Sequence, residues 1–580
     1  MNWLKGDIPP ISIPHTLQEA LPHIYLLVGG GIALYLLSIV FTYIGVLRQV
    51  RGLPTRHGVF PAWEVGLRPR LPHIPYLFPV KDFYTKPEFD IYQNAGSDLL
   101  AFTVLALPSG PVYFIGSPSL AKHVCTKPTF GKASFEKRYE NIRQFGSNIV
   151  SAYDGEEHRH HKNVIRGCFG EQIFEKVWEK MTGQVEIMLC EEGVKERGGV
   201  LGDIGHLMIK VTFAVIGEVG FSEKIPWRIE KSDGKGEMPF VESMEAMDES
   251  LLLQFLMPSW VLKVVPSLRR YGVARRDYLK HTHRLYQHRR NEIIEEDDLS
   301  SKPPKDILGA LAHAQITAER ASQQPGAKGT GKFGVGLTEE EVISDMFVFL
   351  VAGHETTGHT LAFILANLAL YPDWQEGIYE EIKDVRGEEE PSYKNMNQLQ
   401  LTLAFCLESL RQNDSARLIF KYAIEDSLVP YTTWDKNGNV VEKTHLMKKG
   451  SLIGLDLPAC QKNPYHWKES NEFNPRRHLP RTSKNAEREG EVEGAGDIPY
   501  LGFSLGGRQC IGRRFAEVEM VSFVSRLLSQ YKVKVKGEAE EQKEGQGEQW
   551  EESRKRMFDT AYEDLTLTPG KFDLILEKRE

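Results

Sequence analysis

The chain has few cysteines, no dominant basic block and little net charge for its length. Six cysteines are scattered over 580 residues, too sparsely for a disulfide-built secreted scaffold and without zinc-type spacing. The net charge is −8 and no basic stretch stands out, so nucleic acid is not expected as a partner. The hydrophobic share of 41% and charged share of 26% fit a globular protein with a large core, in a reducing compartment.

Charge is absent from one long segment near the N-terminus, Ile24 to Leu47. As a helix it would be roughly 36 Å long, enough to cross a bilayer. A cleaved signal peptide is the alternative, but the basic region and the small-residue cleavage site that such peptides need are missing. Because Arg48, Arg51 and Arg56 follow at once, the positive-inside rule places the rest of the chain in the cytosol.

These features divide the chain into four parts. Residues 1–23 form a short N-terminus, 24–47 a transmembrane anchor, 48–80 a proline-punctuated linker and 81–580 one catalytic domain. The domain is predicted to be mainly α-helical with a minor β component, with strands at Leu100–Leu105, Pro111–Ile115 and Lys532–Lys536.

The run from Phe503 to Gly512 carries the strongest chemical signal. Cys510 lies in a turn that Gly506 and Gly512 make flexible, with Arg508 two residues earlier. Amide N–H groups at the start of a following helix can help to keep a sulfur ionised, and such a thiolate suits a haem iron. The alternative is a buried structural cysteine, the usual fate of a free cysteine.

The pattern Phe-x-x-Gly-x-Arg-x-Cys-x-Gly resembles the haem loop of the cytochrome P450 family, and the resemblance extends from about Pro54 to the C-terminus. It implies the P450 fold and a haem b whose axial ligand is the Cys510 thiolate. Arg508 would bind a haem propionate and Phe503 would shield the Fe–S bond. It also implies a single-pass protein of the endoplasmic reticulum membrane, with residues 1–23 in the lumen and the catalytic domain in the cytosol.

A long helix is predicted to begin at Thr338, which forms a capping box with Glu341. An apolar run continues to Leu370, where Tyr371 and Pro372 end it.

The middle of this helix holds the unusual sequence Ala352-Gly353-His354-Glu355-Thr356-Thr357. A glycine, an acid and two hydroxyls are odd in an apolar helix, and one explanation is a threonine that hydrogen-bonds back to the helix. The other is a local opening where oxygen binds. The segment resembles the oxygen-activation motif of the same family, which implies that Glu355 and Thr356 relay protons.

Glu408 and Arg411 form a Glu-x-x-Arg pair on one face of a helix predicted over Leu401–Gln412. Such pairs are usually solvated and weak. Downstream, the segment around Arg477 resembles the family's Phe-x-Pro-x-Arg sequence. The resemblance implies that Glu408, Arg411 and Arg477 form a structural clamp for folding and haem retention.

The chain departs from the family at two places. His158 stands where the family has a tryptophan, and Lys162 stands for a propionate-binding arginine. Lysine pairs with a carboxylate only as a point charge, so this contact is expected to be less directional. The neighbouring histidines lack a matching ligand set, so no zinc site is expected. After Arg411, a polar sequence over 412–417 replaces the family's proline-rich turn and indicates a polar group at that wall.

Electrons are expected to come from another protein. The sequence Gly329–Gly334 matches a dinucleotide fingerprint by letter, but no strand precedes it, so it fails the required context. The resemblance implies NADPH–cytochrome P450 reductase as the donor. Arg508, Arg513 and Arg514 cluster around the cysteine loop and are candidates for a basic docking face. For Arg508 the alternative is propionate pairing alone.

The predicted activity is a monooxygenase that hydroxylates a small apolar molecule, with secondary metabolism, such as terpenoid biosynthesis, as the setting. An oxygen-independent isomerase or dehydratase and a non-catalytic haem sensor are the alternatives. The intact Glu355–Thr356 pair argues against both.

Overall fold

The structure is a computed structural model, and its described residues cover most of the chain. The predicted linker from residue 60 onward, the glycine-rich sequence 329–334 and the N-terminal 14 residues lie outside them. The described residues are 15–59, 89–105, 110–132, 143, 145–229, 231–232, 236–250, 257, 259–295, 306–322, 336–387, 390–435, 437–480, 498–536, 548–559, 562–563 and 566–579.

Helices dominate the described residues, as the sequence predicts. The helices are α1 His15–Gln49, α2 Asp90–Ala95, α3 Pro118–Thr126, α4 Glu156–Cys168, α5 Glu171–Glu191, α6 Ile204–Phe221, α7 Phe240–Glu249, α8 Ser259–Val264, α9 Arg269–Glu295, α10 Ile307–Ser322, α11 Glu339–Leu370, α12 Pro372–Arg386, α13 Gln400–Gln412, α14 Leu457–Gln461, α15 Arg513–Leu528 and α16 Glu548–Arg554. Single turns of 3₁₀-helix occur at Pro266–Leu268, Tyr393–Asn395, Pro475–His478 and Gly506–Arg508.

The strands form a minor component that is distributed along the chain. They are β1 Thr55–Gly58, β2 Leu99–Val104, β3 Val112–Ile115, β4 Phe130–Gly131, β5 Gly199–Leu201, β6 Leu418–Ala423, β7 Ser427–Trp434, β8 Val440–Met447, β9 Leu452–Asp456, β10 Tyr531–Val535, β11 Tyr562–Glu563, β12 Leu567–Thr568 and β13 Leu574–Lys578. The largest sheet has six strands in the order β1-β2-β3-β9-β6-β4, and a three-stranded sheet has the order β10-β13-β5. Two hairpin-like pairs, β7-β8 and β11-β12, complete the set.

The three predicted strands correspond to β2, β3 and β10 within one residue at each end. The long helix is also confirmed as α11. The Thr338 hydroxyl accepts a hydrogen bond from the Glu341 amide at 3.2 Å, and the Glu341 carboxylate accepts one from the Thr338 amide at 2.8 Å. This reciprocal capping satisfies amide groups that a helix start leaves unpaired.

The core is built around α11, which packs closely on α6. Gly358 makes this approach possible, because a Cβ there would lie 2.9 Å from the Cα of Ile209. The helix α6 is apolar enough to span a membrane, but 78% of its apolar window is buried inside the protein. It is therefore a core helix, and α11 owes its fixed position largely to it.

The helix α1 has the opposite character. Its apolar window, Gly29–Gln49, is only 6% buried, as expected for a membrane anchor. Its C-terminal end is nevertheless attached to the sheet. The Tyr43 hydroxyl lies 3.1 Å from the Thr103 hydroxyl on β2, and Val46 and Val50 are each only 3% exposed.

The predicted linker begins inside this attachment. Residues 55–58 form β1, which pairs in parallel with β2 from Thr55↔Ala101 to Gly58↔Val104. The end of the predicted anchor and the start of the predicted linker are thus packed on the sheet.

Truncation separates these two roles of α1. Deleting residues 1–40 removes exposed apolar surface, whereas deleting residues 1–50 also removes Tyr43, Val46 and Val50. Burying each valine is worth about 1.5 kcal/mol or more. We expect the longer deletion to lower the free energy of unfolding by about 3 kcal/mol relative to the shorter one. Equal urea midpoints for the two truncated proteins would show that the contacts of α1 contribute nothing to stability.

Candidate active site

The loop that carries Cys510 is held in a tight turn. The Cys510 amide donates to the Phe503 carbonyl at 2.9 Å. Ser504 and Gly506 both have positive φ, 56° and 73°. A Cβ at Gly506 would lie 2.2 Å from the Cys125 carbonyl oxygen on α3. Glycine is therefore required at 506 both by backbone conformation and by the approach of a neighbouring chain segment.

The groups around the Cys510 sulfur have opposite effects on the pKa of the thiol, which is raised overall. Burial raises the pKa of the thiol, while the Gly512 amide and the Arg513 guanidinium lower it. The Phe503 ring is 8% exposed, and the Arg513 guanidinium lies 5.5 Å from its centre. A cation bonded to the sulfur would tip this balance, because a coordinating thiol is deprotonated outright.

Cys510 opens into a cavity of about 480 Å³. The loop contributes Phe503 as well, and α11 contributes its central residues to the lining. Most of the remaining lining is aliphatic or aromatic, which suits a flat apolar group. The lining residues of α11 are Val348, Phe349, Ala352, Gly353, Thr356, Thr357 and Thr360.

Cationic side chains gather at one part of the same cavity. Lys132, Lys162, Lys421 and Arg508 all line it. Burial, together with Arg508 and Lys421, lowers the pKa of Lys132 to about 7. Asp154 lies among them. Burial raises its pKa, but the Lys132 amide and Arg508 outweigh burial, so the pKa of Asp154 is lowered overall. Such a concentration of positive charge suits an anionic ligand group.

Arg508 is anchored to the protein on three sides. Its Nε donates to the Asp154 carboxylate at 2.7 Å, and its two terminal nitrogens donate to the carbonyls of Ile149 and Ala152 at 2.9 and 2.5 Å. The sequence prediction did not include this pairing with Asp154. The guanidinium is thereby fixed at the cavity wall.

His158 and Lys162 also lie on the cavity wall. Burial and the nearby Arg508 lower the pKa of His158 to about 4, so its ring is neutral at pH 7. The Lys162 amine donates to the Gly507 carbonyl at 2.8 Å and thus ties α4 to the cysteine loop. Within the described residues no cluster of three metal-ligating side chains occurs, and His161 instead lies 2.7 Å from Asp345.

These residues fit a haem. A thiol, an apolar lining and a group of cations are the three chemical features that iron, macrocycle and propionates require. The crowding of Lys132, Arg508 and Lys421 supports this fit independently of any motif, since their mutual repulsion is relieved by a dianionic ligand. Cys510 would hold the iron, and the cations would hold the propionates.

The centre of α11 differs from the prediction of a local opening. The helix is continuous from Glu339 to Leu370. The Thr356 hydroxyl donates to the Ala352 carbonyl at 2.8 Å, and the Thr360 hydroxyl donates to the Thr356 carbonyl at 2.7 Å. The structure therefore agrees with the other explanation, in which threonine hydroxyls hydrogen-bond back to an unbroken helix.

The two predicted catalytic residues point to different places. Thr356 lines the cavity. Glu355 accepts a hydrogen bond from the Thr566 hydroxyl in the C-terminal segment at 2.9 Å. The structure therefore places the hydroxyl at the cavity and the acid beside it, against another chain segment.

The predicted polar group at the wall after Arg411 is Ser415. It lines the cavity, and its hydroxyl lies 2.7 Å from the Thr360 hydroxyl. The preceding Asp414 is 2% exposed. Burial raises its pKa to about 7, although the Gln461 amide lowers it, and that amide donates to it at 2.6 and 2.7 Å.

Glu408, Arg411 and Arg477 meet in the core below the cysteine loop. Arg411 donates twice to the Glu408 carboxylate, at 2.7 and 2.8 Å, and both side chains are fully buried. The Nε of Arg477 lies 3.6 Å from Glu408, and Arg477 also donates to the carbonyls of Lys468 and Glu469. The pair is thus a buried three-residue cluster and not a solvated surface pair.

Sequence reasoning missed two further partners of Glu408. The Asn474 amide donates to it at 2.8 Å, and His478 Nε2 lies 2.9 Å from it. Burial raises the pKa of Glu408, but Arg411 and His478 outweigh burial and bring the pKa to about 2.

Lys132 and Lys421 were missed as well. No motif spacing marks them, since they lie at the end of β4 and within β6, strands whose pairing brings them to the cavity. A lone lysine in an apolar strand such as β6 was the one available signal.

The comparisons with known proteins agree with this geometry. A family model described as Cytochrome P450 matches residues 69–551. Cytochrome P450 monooxygenase 124 of Postia placenta is 28% identical over 484 residues, 82% of this chain and 85% of that protein. A ganoderic acid synthetase of Ganoderma lucidum is 25% identical over 419 residues, 67% of this chain and 73% of that protein. The crystal structure of the cytochrome P450DA heme domain has a TM-score of 0.64 at 19% identity, covering 91% of this chain and 98% of that one.

The low pKa of Glu408 makes a specific prediction for stability in acid. The Glu408 carboxyl has a pKa of about 2 in the folded chain and an ordinary pKa when the chain is unfolded. Its ionised form therefore stabilises the fold at pH values above that ordinary pKa. This stabilisation, on the order of 3 kcal/mol, is lost as the pH falls from about 4.5 towards 2. At neutral pH, Glu408→Gln should cost about 3–5 kcal/mol, because it leaves Arg411 buried without its anion.

The measurement is the free energy of urea unfolding between pH 7 and pH 3. Glu408→Gln should show a shallower acid loss than the wild-type chain. Glu376→Gln is the matched control, because that acid is 44% exposed in its pairs with Arg579 and Lys532. An identical acid slope for wild type and Glu408→Gln would rule out Glu408 as the titrating group.

Proposed function

Because the chain belongs to the cytochrome P450 family of haem-thiolate monooxygenases, we propose that Cys510 is the thiolate ligand of its haem. The observation that carries this assignment is the position of the thiol. Cys510 is the cysteine that opens into the 480 Å³ cavity, and its turn is constrained by the close approach of Gly506 to Cys125. When bound, the haem supplies oxygen activation and substrate oxidation, assisted by electron density from the thiolate.

The chain's own residues hold this group. Lys132, Lys162 and Arg508 are the cations proposed for the propionates, with neutral His158 packed beside them. Arg508 contributes a guanidinium that is already fixed by Asp154, so little entropy is lost on binding. Gly506 and Gly512 keep the loop backbone close to the macrocycle, and Phe503 limits access of water to the sulfur.

Thr356 and Glu355 are proposed to deliver protons during oxygen activation. The Thr356 proton is engaged with the Ala352 carbonyl, so the hydroxyl oxygen presents its lone pairs to the cavity as an acceptor. A proton that arrives from the Glu355 side is taken up on this oxygen, and the hydroxyl turns from the Ala352 carbonyl to donate its original proton into the cavity. Glu408, Arg411 and Arg477 are proposed as the clamp that holds the loop region in place.

The family relies on a redox partner, and we propose NADPH–cytochrome P450 reductase as that partner. Arg513 and Arg514 are 42% and 33% exposed and can contribute to a basic docking face. Arg508 does not suit this role, contrary to the sequence prediction, because its donors point inward to Asp154 and two carbonyls.

The exposed apolar helix α1 supports membrane anchoring. We propose a single-pass orientation in the endoplasmic reticulum, with residues 1–23 in the lumen and the catalytic domain in the cytosol. The basic residues after the anchor support this orientation.

The substrate is proposed to be a small apolar molecule of secondary metabolism. The mainly aliphatic and aromatic lining of the cavity supports an apolar substrate. The similarity to an enzyme named for ganoderic acid synthesis supports the metabolic setting. The isomerase and sensor alternatives are not favoured, because neither requires an acid and a hydroxyl beside the cavity.

Replacement of the ligand tests the assignment. Cys510→Ala should abolish the red-shifted Soret band of the reduced carbon monoxide complex, since that shift needs a thiolate opposite carbon monoxide. Cys168→Ala is the control, because Cys168 is a buried cysteine of α4 whose thiol donates to the Val164 carbonyl of the same helix. Persistence of the band in the Cys510 variant would exclude Cys510 as the ligand.

Replacement of Thr356 tests the proton step. Thr356→Ala should keep the haem spectrum but divert NADPH electrons into hydrogen peroxide. General acid catalysis is typically worth about 10²–10⁴ in rate, so product should fall by about 10² or more, and Thr356→Ser should recover most of it. NADPH, peroxide and product are measured together on a substrate that the wild type hydroxylates. Unchanged coupling in the alanine variant would leave Thr356 only a structural role.

A further inference from the structure

A chain of hydrogen bonds leads from Glu355 to the C-terminal segment and back to α11. The Thr566 hydroxyl donates to the Glu355 carboxylate at 2.9 Å. The same hydroxyl oxygen lies 2.7 Å from His359 Nδ1. Glu355 and His359 are one helical turn apart on α11, whereas Thr566 comes from the segment that leads into β12.

The direction of this chain follows from the number of protons available. A hydroxyl has a single proton, and Thr566 gives it to the carboxylate. Its contact with His359 must therefore be one in which Nδ1–H donates. Burial and the neighbouring His354 lower the pKa of His359 to about 4, so the ring is neutral and its single proton resides on Nδ1.

Both partners are held rigidly. Thr566 is 4% exposed and His359 7% exposed. The adjacent backbone is also fixed, because the Leu567 amide donates to the Ser415 carbonyl at 3.1 Å. Ser415 in turn donates to the Thr356 carbonyl at 3.2 Å. The C-terminal segment is thus attached to α11 at the turn that contains the proposed proton relay.

We infer that Thr566 and His359 are positioning residues for Glu355, which hold its carboxylate in one orientation. This inference rests on the proposed proton role of Glu355. A carboxylate that accepts a hydrogen bond from a polarised donor is a weaker base. Glu355 therefore releases a proton toward Thr356 more readily than it would if its carboxylate were free to turn.

Other charged groups around Glu355 remain the same when Thr566 is changed. His354 precedes Glu355 on α11, and its Nε2 lies 3.1 Å from Asp248 on α7. Burial opposes protonation of His354, but Asp248 outweighs burial and the pKa is raised. The Thr566 hydroxyl bonds to Glu355 and His359, so a substitution at 566 removes these hydrogen bonds and leaves the His354–Asp248 pair in place.

The test is an infrared pH titration of the Glu355 carboxyl in the haem-loaded full-length chain. The band is assigned by its loss in Glu355→Gln. In Thr566→Val the protonated carboxyl should appear at a pH about one unit higher than in wild type, because one donor to the anion is lost. Thr566→Ser should restore the wild-type titration, and His359→Phe should shift it in the same direction as Thr566→Val by a smaller amount.

Thr568→Val is the matched control, since its hydroxyl donates only to the backbone carbonyl of Thr566, at 3.3 Å, and should leave the titration unchanged. An unchanged titration in Thr566→Val, or a failure of Thr566→Ser to restore it, would overturn the inference. If Thr566→Val does not fold, His359→Phe gives the same test.

The peroxide released per NADPH separates this inference from the proposed function. It should rise in Thr566→Val and return in Thr566→Ser. If the titration shifts but neither Thr566→Val nor Glu355→Gln releases more peroxide, the positioning role stands and the proton role of Glu355 fails. If Glu355→Gln releases more peroxide while Thr566→Val changes neither readout, the proton role stands and the positioning role fails.

Discussion

The fully buried carboxylate of Glu408 is the interaction on which the site depends. Four donors converge on it, two from Arg411 and one each from Asn474 and His478. A buried charge without such partners would cost several kcal/mol, so each partner must be in place when the chain folds. Arg411 also donates to the carbonyls of Gln461, Ser470 and Glu472. One ion pair thereby connects α13 to the irregular segments that precede the cysteine loop.

Contacts with this cluster hold the cysteine loop in position. The Tyr500 hydroxyl donates to the Leu407 carbonyl next to Glu408 at 3.0 Å, and its ring packs edge-on against His478. Lys162 attaches the other side of the loop to α4 through Gly507. The loop carries the Cys510 thiol and two residues with positive φ, and neither would keep its geometry on a free surface loop. The hydrogen bonds that offset the burial of the Glu408 charge therefore also keep the site rigid.

The part of the cavity wall that α11 forms around Thr356 is held by different contacts. Close packing of α6 on Gly358 fixes α11, and hydroxyl groups from three segments then satisfy one another around Thr356. Thr360, Ser415 and Thr566 each bond to α11 or to one another. A rigid helix with a polar spot on an otherwise apolar face results. Oxygen chemistry needs protons at that spot, which is the role proposed for Thr356 and Glu355.

The sequence alone determined the helical fold class, the capped helix α11 and the choice of candidate site residues, because these depend on local patterns and short motifs. Phe503 to Gly512 and Ala352 to Thr357 are contiguous, so their chemistry is readable without coordinates. Only the tertiary structure decided which distant groups complete them. Lys132 and Lys421 reach the cavity through strand pairing. Asp154 accepts a hydrogen bond from Arg508. Thr566 meets Glu355 across 211 residues of chain. Such contacts depend on how elements pack in space, which no local pattern records.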